Sequence, residues 1–166
     1  MDVLLLIERC VWSGLAALGF AVLFNVPQRT LLAIFGLAAG GAAVKLALLG
    51  AAVNPVLASF LGAATIGTLA VPVAHWKHSP PAVFSIAAVI PMVPGMYAYR
   101  MMLGVIELTG AVGDAYPMIL AQTVNNGVKT LFILMALAVG VGIPNLLTRQ
   151  ESAKQMQLRR RNRPSR

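Results

Sequence analysis

Residues 30–49 read TLLAIFGLAAGGAAVKLALL, an apolar run that is interrupted by a single charge, at Lys45. A transmembrane helix needs about 20 consecutive and mostly apolar residues, so this stretch is long enough to cross a bilayer. Its many alanines, glycines and leucines favour close helix packing over the alternating pattern of an outer-membrane β-barrel. The stretch therefore predicts a membrane-spanning helix.

The same pattern extends over most of the chain. Of the 166 residues, 58% are hydrophobic and only 11% are charged, and the mean hydropathy is +0.80. Such a chain is too apolar to keep its surface in water. Apolar runs separated by proline, glycine, asparagine and charged residues predict spans at about 3–24, 30–49, 53–74, 82–108 and 118–147. We predict an all-α integral membrane protein of about five transmembrane helices at 1–148, followed by a basic tail at 149–166.

Basic residues are distributed unevenly between the predicted connectors. The connectors after the first and third spans and the tail contain Arg29, Lys77, Arg149, Lys154, Arg159, Arg160, Arg161, Arg163 and Arg166, whereas the connectors after the second and fourth spans contain none. Because short basic segments resist translocation, this pattern predicts an outside N-terminus and a cytoplasmic C-terminus in the bacterial inner membrane. Arginines directly after a span are better explained by anionic lipid headgroups than by nucleic acid, so we expect no nucleic-acid partner.

The fourth predicted span is broken by the motif Pro91-Met92-Val93-Pro94-Gly95. Its prolines remove backbone donors and block continuous helical hydrogen bonding. An unsatisfied backbone group costs several kcal/mol in lipid, so such a break must face protein or a water-filled cavity. The second half-helix would present a positive N-terminus to a substrate carboxylate, at Gly95, Met96 and Tyr97. A proline kink that only shapes helix packing is the alternative interpretation.

Besides Arg9, which lies beside Glu8 near the start of the first predicted span, three basic residues lie inside predicted spans: Lys45, Arg100 and Lys129. Near a helix centre each costs about 2.5 to 3.5 kcal/mol, so each needs an interior partner or a route to the interface. Arg100 follows the break by about one helical turn, where it could bind the same carboxylate through a bidentate hydrogen bond. We therefore predict a substrate-binding site formed by Arg100, Gly95, Met96, Tyr97 and Lys45.

Glu107 lies two turns beyond Arg100 on the same helical face, about 10 Å away by helical rise. It could pair with Lys129, or exchange a proton if transport is coupled to protons. The alternative is an ordinary acidic residue at the membrane interface. Amide side chains near Lys129 suggest a polar seam on the fifth span, formed by Gln122, Asn125 and Asn126.

Packing motifs are frequent, whereas catalytic and metal-binding patterns are missing from the sequence. Small residues at a spacing of four predict close helix contacts, within the chain or with a partner, at Gly36/Gly40, Ala63/Gly67 and Ala136/Gly140. His75 and His78 are too few to hold a metal, and the single Cys10 forms no internal disulfide. No nucleophile–base set or zinc spacing occurs, so we expect no enzyme activity, no metal and no cofactor.

Two stretches, GFAVLFNVP at 19–27 and AAVIPMVPGMY at 87–97, resemble the threonine/serine exporter (ThrE) family, and within it the small YjjB-type subunit. The resemblance extends over about residues 1–148. It implies export of threonine and serine or, in the two-subunit form, of succinate, together with a larger YjjP-type membrane subunit. All these substrates carry a carboxylate. The resemblance assigns no role to Arg100, Glu107 or Lys45, for which the proposed roles depend on physical arguments alone.

Three functional hypotheses follow from the sequence. The first is a subunit of a transporter whose broken fourth span and intramembrane charges line a route for anions. The second is a non-transporting scaffold that stabilises a membrane partner through its small-residue faces. The third is a channel formed by a homo-oligomer of this chain.

Overall fold

The described part of the chain folds into six α-helices that differ widely in length. The computed structural model describes residues 3–77, 79–110, 113 and 115–161, and within them all side chains except those of residues 145 and 148–161. The helices are α1 Val3–Leu23, α2 Leu31–Gly50, α3 Pro55–Lys77, α4 Pro81–Val89, α5 Gly95–Leu108 and α6 Ala115–Arg161, with short 3₁₀ turns at Gln28–Thr30 and Ile90–Met92. The described residues contain no β-strand, so the predicted all-α class is confirmed.

Among the described residues, four helical segments are long and apolar enough to cross a membrane by themselves: Val3–Leu23, Gln28–Gly50, Pro55–Lys77 and Ala115–Pro144. Pro81–Met92 and Gly95–Leu108 form a further pair with a bend of 53° between its halves. A re-entrant loop would reverse the chain, whereas this bend lets both halves advance in the same general direction. The pair therefore corresponds to the predicted fourth span, broken at the Pro-Met-Val-Pro-Gly motif.

Local sequence explains where the first helices end and begin. After α1, the backbone of Asn25 turns into the left-handed region with a φ of 54°, which asparagine tolerates better than most residues. Before α3, the Asn54 side-chain oxygen accepts a hydrogen bond of 2.9 Å from the Val56 N–H, as an N-cap residue does. Pro55 and Pro81 occupy the first positions of α3 and α4, where proline needs no amide hydrogen.

Helix α3 lies at the centre of the bundle and packs against α2, α4 and α6. Glycine allows its close approach to α6, because a Cβ on Gly140 would lie 2.7 Å from the Phe60 carbonyl oxygen and 2.9 Å from the Ala63 Cβ. The Ala63/Gly67 and Ala136/Gly140 motifs therefore pack against each other. In contrast, no atom of another described helix lies within 4 Å of where a Cβ on Gly36 would be, so its side of α2 stays open.

Helix α6 continues far beyond the predicted end of the fifth span at about residue 147. Its 47 residues extend from Ala115 to Arg161, which is about 70 Å of helix against a hydrocarbon thickness of about 30 Å. The helix must therefore leave the membrane, and the predicted basic tail is helical as far as Arg161. Residues 162–166 of that tail lie outside the described residues.

Candidate functional site

The break in the fourth span places the start of α5 where the sequence predicts it. Val93 N donates to the Ile90 carbonyl oxygen at 3.0 Å, and Tyr97 N donates to the Pro94 carbonyl oxygen at 3.1 Å, so helical hydrogen bonding stops and restarts within the motif. Met92 and Pro94 are buried, whereas Gly95 is exposed. The first turn of α5 therefore begins at a residue that the rest of the described chain leaves exposed.

Beyond the break, α5 runs antiparallel to α6, and their contact has a polar edge. A groove of about 170 Å³ lies along this edge, lined by Arg100, Leu103, Gly104, Glu107, Ile119, Gln122, Thr123 and Asn126. Arg100 and Glu107 are exposed on the surface of the chain, and Asn126 is half-buried. The opposite side of α5 is apolar, with Met102, Val105 and Ile106 exposed. The polar side of α5 is therefore the edge next to α6.

A second pair of side chains extends this polar edge towards the break. The Lys129 ammonium lies over the Tyr97 ring, 5.7 Å from its centroid, which is within the range of a cation–π contact. Tyr97 is in the first turn of α5, and Glu107 is ten residues further on, about 15 Å by helical rise. We use the name polar track for the line formed by Lys129, Tyr97, Arg100, Asn126, Gln122 and Glu107.

Helix α5 packs mainly against α6, and within the described part of the chain only these two helices line the groove. Among the described residues, neither Arg100 nor Glu107 has a hydrogen bond or an ion pair with another side chain. Intramembrane charges are stable only when they face protein or water. Wherever this edge of the α5–α6 pair lies within the hydrocarbon of a bilayer, it must be covered by water or by another polypeptide.

Comparison with known proteins identifies the family. The sequence matches the family described as "Threonine/Serine exporter, ThrE" over residues 9–147, which include every predicted site residue and all of the polar track. The chain belongs to the threonine/serine exporter family. This membership confirms the family resemblance and agrees with the expectation that the chain is not an enzyme.

A curated relative of this exporter-family chain is considerably longer than the chain itself. An uncharacterised protein of Haemophilus influenzae is 34% identical over 143 residues, which are 86% of this chain and 47% of that protein. The chain therefore spans about half the length of the curated relative that it matches. No solved structure matches the chain.

Lys45 lies apart from the polar track of the exporter-family chain. Its Nζ donates a hydrogen bond of 2.9 Å to the Met92 carbonyl oxygen, at the break itself. The other predicted substrate-binding residues, Gly95, Met96, Tyr97 and Arg100, all belong to α5. The structure therefore brings Lys45 to the break, where it contacts the backbone of the motif and none of the other predicted substrate-binding residues by a hydrogen bond.

In the exporter-family chain, the structure differs from two predicted contacts, the pairing of Glu107 with Lys129 and the polar seam on the fifth span. Lys129 contacts Tyr97 at the opposite end of α5 from Glu107, so these two charges do not pair. Within the predicted polar seam, Gln122 and Asn126 line the groove, whereas Asn125 does not. Two charged side chains and two amides thus share the groove without direct pairing between the charges.

Sequence reasoning missed two residues that shape the groove of the exporter-family chain. A Cβ on Gly104 would lie 3.0 Å from the Thr123 Cβ and closer still to its Oγ1, so this glycine lets the two helices touch. The available signal was position, because Gly104 lies on the same helical face as Arg100 and Glu107. Thr123, one residue after Gln122, carried no comparable signal.

The histidines add no metal site in the described part of the exporter-family chain. The His75 ring shares a hydrogen bond of 2.8 Å between its Nδ1 and the Val71 carbonyl oxygen. His78, the other half of the histidine pair, lies outside the described residues. Among the described residues, no group of three histidine, cysteine or acidic side chains is placed to hold a metal ion.

Proposed function

We propose that the chain is a membrane subunit of an exporter of small carboxylate-bearing metabolites, either a succinate-like dicarboxylate or threonine and serine, in the bacterial inner membrane. We also propose that it acts with a larger YjjP-type membrane subunit. The observation that carries the proposal is the uncovered groove with Arg100 and Glu107. The relative of about twice the length supports the partner, because its additional residues provide a second half that could cover such a groove.

The groove offers chemistry that suits an amino acid or a dicarboxylate. The guanidinium of Arg100 can bind a carboxylate through two parallel hydrogen bonds. The positive end of α5 at Gly95–Tyr97 favours the same charge. Gln122 and Asn126 can replace water around the polar groups of the substrate. In this proposal the partner subunit supplies the facing wall, and the closed groove forms the substrate route.

The proposed orientation gives the groove a direction. With the N-terminus outside and the C-terminus cytoplasmic, the fourth span runs outwards. The part of α5 from Tyr97 to Glu107 then lies on the outer side of the break at 91–95. A substrate that reaches Arg100 from the break would continue along the polar track towards Glu107 and the outside, which is the direction of export.

Transport should require both polypeptides. In cells that lack related exporters, we expect efflux of labelled succinate or threonine above background only when this chain and a YjjP-type partner are expressed together. The reason is that one chain alone leaves a charged groove open to lipid. Efflux with this chain alone would contradict the two-subunit proposal and favour a homo-oligomeric channel. Comparison of the two labelled substrates would identify the preferred class.

Replacing Glu107 by glutamine should uncouple export from the proton gradient. Glutamine keeps the size of the side chain and its hydrogen bonding, but it cannot take up or release a proton. We expect exchange of labelled for unlabelled substrate to continue, and stimulation by an imposed pH gradient to disappear. Glu8→Gln, at an exposed acid on α1, is the matched control and should keep the stimulation. An unchanged response in Glu107→Gln would exclude Glu107 as the coupling residue.

A scaffold function is the second candidate, and the open face of α2 favours it. A Cβ added at Gly36 or Gly40 would meet no atom of the described chain within 4 Å, so this face could receive a helix of a partner. A scaffold would still assemble with the partner, but changes along the polar track would leave transport unaffected. Transport measurements on assembled variants of Arg100 and Glu107 therefore separate the two functions.

A further inference from the structure

The charged side chain of Lys45 lies inside a membrane helix and hydrogen-bonds to another part of the same chain. It belongs to the last third of α2, about 7 Å from the helix midpoint by helical rise, and its side chain is half-buried. Its Nζ donates to the carbonyl oxygen of Met92, 47 residues away in the sequence, at 2.9 Å. The contact joins α2 directly to the break.

This carbonyl needs a donor because the helix stops there. In a continuous helix, the Met92 oxygen would accept a hydrogen bond from the amide of residue 96. The motif turns the chain after the 3₁₀ turn, and Val93 N returns to the Ile90 oxygen instead. The end of the segment Pro81–Met92 is the negative end of a half-helix, where a cation is stabilising. Lys45 supplies both the missing donor and the positive charge.

A glycine on α3 makes the contact possible. A Cβ on Gly62 would lie 2.6 Å from the Met92 Cε, 2.8 Å from the Gly41 carbonyl oxygen and 3.2 Å from the Lys45 Cβ. The backbone of α3, the base of the Lys45 side chain and the Met92 side chain therefore meet at one point. This packing holds the lysine stem and the end of the half-helix in a fixed relation.

We propose that Lys45 is a positioning residue that maintains the bend of the broken span, and that it is not a substrate ligand. Its charge compensates the end of α4 and its 3₁₀ turn, and the resulting bend of 53° directs α5 along α6. The bend sets where Arg100 and the rest of the polar track lie. The consequence for transport rests on the proposed function, whereas the effect on the bend does not.

The bend can be measured directly as a distance between two spin labels. Ala82 and Ile106 are exposed near the two ends of the broken span, and Cys10 is the only native cysteine. In a Cys10→Ser background, labels at Ala82→Cys and Ile106→Cys of the full chain in lipid nanodiscs, without substrate, would report the distance. Straightening the span would lengthen their axial separation by about 3 Å from about 30 Å, by helical rise.

We expect Lys45→Met to broaden this distance distribution and shift it to longer values, because methionine keeps the apolar stem but has no donor and no charge. Lys45→Arg should keep the wild-type distribution, since arginine retains both the hydrogen-bond donor and the positive charge. Arg100→Met is the matched control, because it removes another intramembrane cation that does not contact the break, and it should leave the distance unchanged. Should Lys45→Met not accumulate in the membrane, the neutral and shorter Lys45→Gln should give the same shift.

An unchanged distance in Lys45→Met or Lys45→Gln, or failure of Lys45→Arg to keep the wild-type distance, would overturn the positioning role. A raised KM for export with an unchanged bend would overturn it too and make Lys45 a substrate ligand. If the wild-type chain and its partner export neither labelled substrate while Lys45→Met shifts the distance, the proposed function fails and the positioning role stands. The two proposals can therefore fail separately.

Discussion

Replacing Arg100 by alanine is expected to reduce export of labelled succinate or threonine by about ten- to a hundredfold, which corresponds to the loss of about 1.5 to 3 kcal/mol from a hydrogen bond to a charged group. Arg100 is the basic side chain that lines the groove. Without it, a carboxylate in the groove would keep amide donors but lose its counter-charge. Measurement requires efflux assays in cells that express this chain together with a YjjP-type partner.

Two further variants make the Arg100 result specific. Arg100→Lys keeps the charge but loses the planar fork, so its export rate should lie between those of the wild type and Arg100→Ala. Met102→Ala changes a side chain that is 56% exposed on the same helix and does not line the groove, so it should export normally. The amount of each variant in the membrane fraction must match the wild type. Normal export by well-inserted Arg100→Ala would remove Arg100 from the substrate route and strengthen the scaffold hypothesis.

Much of the fold could be predicted because the bilayer imposes strong rules on sequence. Long and mostly apolar runs define α1, α2 and α3, and the two prolines of the motif at 91–95 define the break. The shared face of Arg100 and Glu107 follows from helical periodicity alone. These features depend only on residues that are close in the sequence. The residues that α5 contributes to the groove could therefore be predicted from the sequence.

The contacts that complete the site could not be predicted because they depend on how distant helices pack. The register of α6 against α5 decides that Lys129 lies over Tyr97, and that Glu107 is left without it. The packing of α2 on α3 at Gly62 decides that Lys45 reaches the carbonyl of Met92. A sequence pattern shows that a buried cation needs a partner, but it does not show which partner it finds.

The close contact of α5 with α6 should make Gly104 sensitive to a single added methyl group. The Thr123 Oγ1 donates a hydrogen bond of 2.7 Å to the Ile119 carbonyl oxygen, which fixes the rotamer that faces Gly104. Thr123 is also 6% exposed, so its side chain has little room to turn away. A Cβ on Gly104 would therefore push α5 away from α6 along the groove.

Gly104→Ala is therefore expected to destabilise the α5–α6 pair by about 1 to 3 kcal/mol, the usual cost of overpacking, and to widen the groove enough to stop export. Gly36→Ala is the matched control, because its added Cβ meets no atom within 4 Å and should leave the thermal unfolding midpoint in detergent unchanged. Gly104→Ala/Thr123→Ala should recover part of the lost stability, since it removes the hydroxyl that meets the new methyl group. If Gly104→Ala unfolds at the wild-type temperature and exports normally, then α5 and α6 do not need to touch at this point, and the groove does not depend on their close approach.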